Sequence, residues 1–323
     1  VTSDITLFVN PTAGRGRGAR ATRPAARVLR DAGFGVRTVL GEDARDALRR
    51  ARQAVAAGTD ALIAVGGDGV VSLALQAVAG TTTPLGVVAV GTGNDFARAS
   101  GLPVRDPEAA ARRIAAALKG DGGRPVDLGR VVRGDGTGPG DPMEAGTWFG
   151  TVLASGFDSR VNDRGNRMRL PIGRLRYDMA VLAELAALRP LPYRIRFDDE
   201  PWQQVAATLI AIGNGDSYGG GMRICGDARM DDGLFDITVV GPCSRSTLLK
   251  VFPKVYKGTH LDHPRVTVHR AARVTLEAAP DWPLRTGPSA GAGITGYADG
   301  EPLGPLPLTA VTVPGAVRLL GAQ

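Results

Sequence analysis

Four short apolar runs divide the first 120 residues: ITLFV at residues 5–9, VRTVL at 36–40, ALIAV at 61–65 and LGVVAV at 85–90. All are rich in β-branched residues, and residues 18–32, 43–57 and 70–79 between them carry apolar side chains at helical period. Strands alternating with helices in this way build a mostly parallel sheet covered on both faces. Asp106-Pro107-Glu108 opens a further helix to about residue 118, with proline in its first turn and acids at its positive end.

Beyond residue 125 the texture changes. Residues 126–132, 148–154, 193–197, 205–212, 234–240, 265–269 and 273–276 read as strands with little helix between them, the pattern of a β-sandwich. One helix is expected at 173–188, where Leu175, Met179, Leu182 and Leu185 form a core-packing stripe. Residues 133–146 and 279–293 are rich in Gly and Pro and read as loops. A chain of 323 residues is long enough for two such units, each with its own core.

The chemistry gathers at strand ends. The run at 61–65 stops on Gly66-Gly67-Asp68-Gly69, and the next helical stretch begins at once at Val70. A strand, a glycine loop and a helix in that order describe a backbone to which something comes close. An acid among glycines, Asp68 is expected to contribute little packing. Gly91-Thr92-Gly93-Asn94-Asp95 repeats the arrangement after the fourth run, and Asn94 and Asp95 are also natural helix caps. Two such loops at the C-terminal edge of one parallel sheet share a crevice, where α/β proteins bind ligands. A third turn, VNPTAGRGRG at residues 9–18, follows the first strand. There Gly14, Gly16 and Gly18 with Arg15, Arg17 and Arg20 suit an anion-binding nest. Gly14, Gly16 and Ala19 also fit a relaxed dinucleotide fingerprint, but no acid stands clearly at the expected distance.

A net charge of +7 favours an anionic partner: nucleic acid, an acidic membrane surface or a phosphorylated substrate. Nearly all of the excess is arginine, a bias that genome composition alone can produce. An aromatic content of 5% and the lack of a zinc-finger or RNA-recognition signature disfavour nucleic acid. No run approaches the ~20 apolar residues of a membrane span. The N-terminus lacks the basic start and apolar block of a signal peptide. Two cysteines, Cys225 and Cys243, point to a reducing, cytoplasmic setting without a disulfide framework.

In order and spacing, NPTAG (10–14), GGDG (66–69) and PLGVVAVGTGNDFAR (84–98) resemble the catalytic domain of diacylglycerol kinases and related lipid kinases. The bacterial soluble diacylglycerol kinase group is the closest match. GFDSRV (156–161), GRLRY (173–177), MDDGLFDI (230–237) and YADGEPLG (297–304) extend the resemblance over essentially the whole chain. It implies an α/β nucleotide-binding domain over residues 1–124, completed by about 303–323 as the chain returns to it. A β-sandwich lipid-substrate domain would occupy 125–302. The implied reaction is ATP- and Mg2+-dependent phosphorylation of diacylglycerol to phosphatidic acid, by a cytoplasmic protein bound peripherally to an anionic membrane surface. A homodimer is compatible with it.

Phosphoryl transfer needs the phosphates held, their charge neutralised and an alcohol deprotonated in line. With no GxxxxGK[ST] loop, Gly66, Gly67 and Gly69 are expected to bring backbone amides to the phosphates. The resemblance adds Asn10, Pro11, Thr12, Gly14, Arg15, Gly91, Thr92, Gly93, Asn94 and Arg176 to the nucleotide site. Asp68 and Asp95, with Asn94, would hold Mg2+ directly or through water. Asp299 would be the general base with Glu301 nearby, although Asp299-Gly300-Glu301 read alone is a hairpin turn. A second, structural Mg2+ would sit on the Asp232 carboxylate and the carbonyls of Arg229 and Leu234. Arg160, Arg164, Arg167, Arg169, Arg174 and Arg176 crowd one stretch that reads as a solvated loop or as a contact for anionic headgroups. Two departures stand out: Val70 replaces the family's usual threonine, which would remove one hydroxyl from the phosphate loop, and Ala89-Val90 stands before GTGND where the family usually has a small-residue or proline pattern. NAD kinase shares GGDG, but that family's NE and TGSTAY-like segments are missing here. A sphingosine or ceramide kinase, or a non-catalytic dinucleotide- or lipid-binding protein, are the other readings.

Overall fold

The computed structural model describes residues 3–9, 13–120, 122–134, 146–156, 190–279 and 294–322, with residues 13–15 as backbone only. Asn10, Pro11, Thr12, the arginine-rich stretch with Arg176, the helix expected at 173–188 and most of both Gly/Pro-rich stretches lie outside the described residues.

The first half alternates β1 (Asp4–Val9), α1 (Ala13–Asp31), β2 (Gly35–Leu40), α2 (Ala44–Ala56), β3 (Ala61–Gly66), α3 (Asp68–Val78) and β4 (Leu85–Ala89). The short α4 (Asp95–Ala99) and α5 (Pro107–Lys119) follow. The strands run parallel in the order β2-β1-β3-β4. β3 shows why its sequence is apolar throughout. Leu62 and Ala64 pack with Ala74, Leu75 and Val78 of α3, whereas Ile63 and Val65 pack with Ala25 and Leu29 of α1 and Ile114 of α5. A parallel strand covered on both faces has no solvent side to mark with polar residues. The one boundary that moves is that of α1, which starts at Ala13 rather than near residue 18. Glycine and arginine in its first turns hide it from an apolar period.

The second half contains β5 (Arg124–Arg133), β6 (Thr147–Phe149), β7 (Val152–Gly156), β8 (Leu191–Phe197), β9 (Gln203–Ala207), β10 (Leu209–Gly213) and β11 (Phe235–Val240). It continues with α6 (Arg245–Val255), β12 (Val266–Ala271), β13 (Arg273–Ala278), β14 (Thr295–Ala298), β15 (Glu301–Pro305) and β16 (Leu308–Leu319). One antiparallel sheet runs β12-β11-β10-β7-β14-β15. Strands β5, β6, β8, β9, β13 and β16 join β1–β4 in a second, ten-stranded sheet. The join is the end of β16, where Leu319 pairs in parallel with Leu85 of β4, so the C-terminal segment returns to the first half. Ile210, Ile212, Phe235 and Ile237 from the six-stranded sheet meet Tyr193, Ile195, Val274 and Leu276 from the other, which makes the sandwich core.

Two runs that read as single strands are each broken. Gly150 and Thr151 separate β6 from β7, and at Thr208 the chain leaves one sheet for the other, since β9 pairs with β8 and β10 with β7 and β11. Both halves of each run are apolar, so hydrophobicity does not record the change of sheet. Helix α6 has no counterpart in the sequence reading: it is short and holds Pro253, with Ser244 capping it by accepting the Thr247 N–H.

Candidate active site

β3 and β4 end side by side, and the Val90 N–H donates to the Gly66 carbonyl at 2.8 Å. The loops that leave them press backbone on backbone. A Cβ on Gly91 would stand 2.4 Å from the Gly67 Cα, a distance no side chain survives. These glycines therefore let the two loops meet each other, a tighter demand than the approach of phosphates expected from the sequence. Gly69 is different: it is exposed in the first turn of α3, with open space where a Cβ would be.

Asp68 begins α3, and its carboxylate accepts the N–H groups of Asn94 and Asp95, both at 2.7 Å. It thus ties the second loop to the first and satisfies the otherwise free amides at the start of α4. The expectation that Asp68 contributes little to the fold is corrected on this point. Asn94 is buried with φ 60, a left-handed backbone that Asn tolerates better than most residues. Its side chain closes on Gly91, accepting the N–H at 2.8 Å and donating to the carbonyl at 3.0 Å. Thr92 is exposed. Arg105 donates to the Thr92 carbonyl and Arg98 to that of Gly93, each at 3.1 Å. These two guanidiniums on the rim of the loop have no role in the sequence reading, where arginine is too common to stand out.

Asp95 reaches across to the second half. Its carboxylate accepts the Gly220 N–H at 2.8 and 3.0 Å. Burial, with the Asp68 charge adding to it, pushes its pKa from 3.8 up to about 6, against the opposing bonds from Gly220 and Gly221. The folded chain therefore holds a proton here that the unfolded chain has released. The stability this group confers is present below about pH 4 and is lost as pH rises through about 6. Asp95→Asn should flatten that slope, removing roughly 2–3 kcal/mol of the difference in unfolding free energy between pH 4 and pH 8. Urea denaturation of the metal-free protein at both pH values measures it. Parallel profiles for variant and parent would refute the assignment.

Asp299 enters from the β14–β15 hairpin. Its φ of 48 and the φ of 85 at Gly300 describe a primed turn of the type Asp-Gly favours. The turn reading is thus correct, and the same turn aims the carboxylate at the break between β6 and β7. There it accepts the Gly150 N–H at 2.7 Å, the Thr151 N–H at 2.9 Å and the Thr151 hydroxyl at 2.5 Å. Desolvation raises its pKa, the Thr151 and Gly150 bonds oppose the rise, and the Asp68 charge adds to it. Asn214, fully buried, donates to the Gly150 and Asp127 carbonyls at 2.9 Å and so fixes the peptide that holds Asp299. The sequence offers only one signal for it, an Asn followed by glycine at the end of a strand. Glu301 is exposed at the start of β15, opposite Ala298.

Asp68 and Asp95 thus form an acidic centre, the Gly150–Thr151 turn that holds Asp299 packs on Phe96 beside it, and none of the three acids is ion-paired among the described residues. An all-oxygen, under-compensated set of this kind fits Mg2+, which takes carboxylate, water and phosphate oxygens. No three acid, His or Cys side chains among the described residues converge closely enough to ligate one ion alone. Water or phosphate oxygens would have to complete the shell. The turn at 229–234 is different. Arg270 pairs with the Asp232 carboxylate, which also accepts the Leu234 N–H at 3.1 Å, while Asp127 holds the Gly233 N–H at 2.8 Å. A guanidinium already compensates the charge that a structural metal would neutralise, so this turn does not fit an ion as it stands.

Val70 points into the core with Val71, Leu75 and Phe96, and so bears on packing, whereas the sequence suggests a place in the phosphate loop. Val70→Thr should cost about 1–2 kcal/mol in urea unfolding, because it buries a hydroxyl. An unchanged midpoint would contradict this.

Residues 4–131 match the diacylglycerol kinase catalytic domain, and residues 151–321 match the YegS C-terminal NAD kinase beta sandwich-like domain. Fold, site and these two domains together define a lipid kinase. A "Diacylglycerol kinase" of Mycobacterium tuberculosis is 44% identical over 317 residues, 98% of this chain and 94% of that protein. The chain belongs to the diacylglycerol kinase family. A "Probable lipid kinase YegS-like" of Xanthomonas oryzae is 30% identical over 81% of this chain and 82% of its own length. A putative diacylglycerol kinase from Bacillus anthracis shares the fold, with a TM-score of 0.75 at 21% identity, covering 98% of this chain and 95% of that one. Membership implies ATP as phosphoryl donor and a lipid as acceptor. Among the described residues, no helix is long and apolar enough to cross a membrane.

Proposed function

We propose that this kinase transfers the γ-phosphoryl group of ATP to the free hydroxyl of diacylglycerol, giving phosphatidic acid and ADP. The observation that carries the proposal is that the Gly150–Thr151 turn holding Asp299 packs on Phe96, the neighbour of Asp95, whose own N–H is held by Asp68 from the first loop. Diacylglycerol as substrate is supported by the 44% identical relative of that name.

In this reading Asp299, held by Gly150 and Thr151, accepts the hydroxyl proton as the lipid oxygen bonds to phosphorus and the bond to the ADP oxygen breaks. A desolvated carboxylate with a raised pKa is a better base than a solvated one. Asp68 and Asp95 lie where Mg2+ would be held, and the ion when bound neutralises phosphate charge. Gly69, the amides of the GTGND loop, Asn10, Pro11, Thr12, Gly14, Arg15 and Arg176 complete the nucleotide side. Because diacylglycerol stays in a bilayer, the protein works as a peripheral protein on an anionic surface, with the arginines between 160 and 176 among its contacts.

The test is a screen with γ-labelled ATP over diacylglycerol, sphingosine, ceramide and NAD, with and without Mg2+. Label in phosphatidic acid, dependent on Mg2+, is the expected result. Label in a sphingoid lipid or in NAD would move the substrate, and ATP binding without label in any acceptor would favour a non-catalytic protein.

A further inference from the structure

Four large apolar side chains are exposed among the described residues, and three of them share one side of the molecule. Leu249 and Tyr256, 57% and 47% exposed, sit on α6 and its C-cap. Seven residues apart, they fall on one face of the helix. The opposite face is already used: Val251 and Val255 are buried, and Val255 packs with Leu209, Ala211 and Val240 on the outside of the six-stranded sheet. Val268, 43% exposed, lies two residues beyond Val266 of that same cluster, and so on the same outer face of β12. Helix α6 is therefore apolar on two sides, and only one is buried.

Charge says what the other side meets. Three of the chain's four lysines, Lys250, Lys254 and Lys257, form an exposed row beside Leu249 and Tyr256. None of the three is ion-paired among the described residues. From Ser244 to Arg265 five cations stand against one acid, Asp262. Near the end of α6, Asp216 is already paired with Arg223, and exposed Asp227 beside Gly226 still leaves the cations in clear excess. Lysines bordering an exposed apolar stripe are the composition of a helix that lies in the headgroup layer of an anionic bilayer. A second copy of this chain would set lysine rows against each other, so charge disfavours it.

The helix is also coupled to the acidic centre. Its Val255 carbonyl accepts the Arg223 N–H at 3.1 Å, and three residues earlier Gly220 donates to Asp95. Residues 220–223 thus run from the acidic centre to the end of α6.

We propose that the outer face of α6, with Leu249 and Tyr256 inserted and Lys250, Lys254 and Lys257 on the headgroups, is the surface by which this protein docks on anionic bilayers. The proposal rests on the lipid-kinase reading for its purpose, but its test does not need turnover. Sedimentation of the full chain with vesicles of phosphatidylcholine alone or with phosphatidylglycerol gives the partition coefficient. Changing the three lysines to glutamine should lower partitioning onto phosphatidylglycerol vesicles on the order of a hundredfold at physiological salt. The Leu249→Trp variant should show blue-shifted emission on those vesicles and quenching by brominated acyl chains. Short-chain diacylglycerol supplied as monomers should be phosphorylated equally by parent and lysine variant, which separates failed docking from failed chemistry. Equal partitioning of parent and lysine variant, emission of the Leu249→Trp protein unchanged by vesicles, or a parent dimer that the lysine-to-glutamine variant does not form would overturn the proposal.

Discussion

Asp299→Asn should lower kcat by about 10²–10⁴-fold, with the KM for ATP changed far less, since the carboxylate acts on the acceptor hydroxyl and does not hold the nucleotide. The amide cannot reproduce the ground-state arrangement either. Both carboxylate oxygens accept donors from Gly150 and Thr151, and an NH2 group facing either N–H would leave two donors opposed. A loss of about 1–3 kcal/mol in stability is expected alongside the kinetic effect. Thr151→Val separates the two. It removes one bond to Asp299 while keeping the base, so it should lower the carboxylate's capacity to stay ionised and shift the acid limb of the kcat–pH profile to higher pH. An Asp299→Asn enzyme within about threefold of the parent, far short of the expected loss, would exclude the residue as the base.

Asp68→Ala is the other large effect, and it has two parts. Loss of the carboxylate that would meet the metal and phosphates should cost on the order of 10³-fold in kcat, several kcal/mol of transition-state stabilisation. The same change frees the amides of Asn94 and Asp95, which should cost a further ~1–2 kcal/mol of fold stability, as for a lost helix cap. Asp68→Asn, which keeps one acceptor, should recover part of the stability and none of the activity. Urea unfolding and initial rates at saturating Mg2+ read the two parts independently. Near-normal activity in either variant would remove Asp68 from the phosphate side of the site.

Much of this is legible in the sequence, for identifiable reasons. The strand–helix alternation over residues 5–119 follows from short apolar, β-branched runs set between stretches of helical period, and Gly66–Gly69 and Gly91–Asp95 mark where two parallel strands end. What the sequence does not show is what the glycines face. Gly67 and Gly91 meet each other, and that contact exists only once β3 and β4 are paired. The site's second half is hidden for a similar reason. Gly150, Thr151, Asn214 and Gly220 are ordinary residues in separate strands and loops, and sheet pairing alone brings them to Asp299 and Asp95. The breaks at Gly150-Thr151 and Thr208 escape detection because both sides of each are apolar. Helix α6 escapes it because it is short and holds Pro253, and because Leu249 and Tyr256 on its exposed side blur the amphipathic contrast by which a surface helix is recognised.

The central claim is that acids from the two halves of this chain form one phosphoryl-transfer site acting on a lipid hydroxyl. The most direct measurement follows ATP and 1,2-diacylglycerol in mixed micelles with the full chain and Mg2+, counting ADP and phosphatidic acid together. The account predicts one phosphatidic acid for each ADP, with both products lost in Asp299→Asn. ADP formed without phosphorylated lipid, or phosphatidic acid formed at the parent's rate by Asp299→Asn, would contradict it.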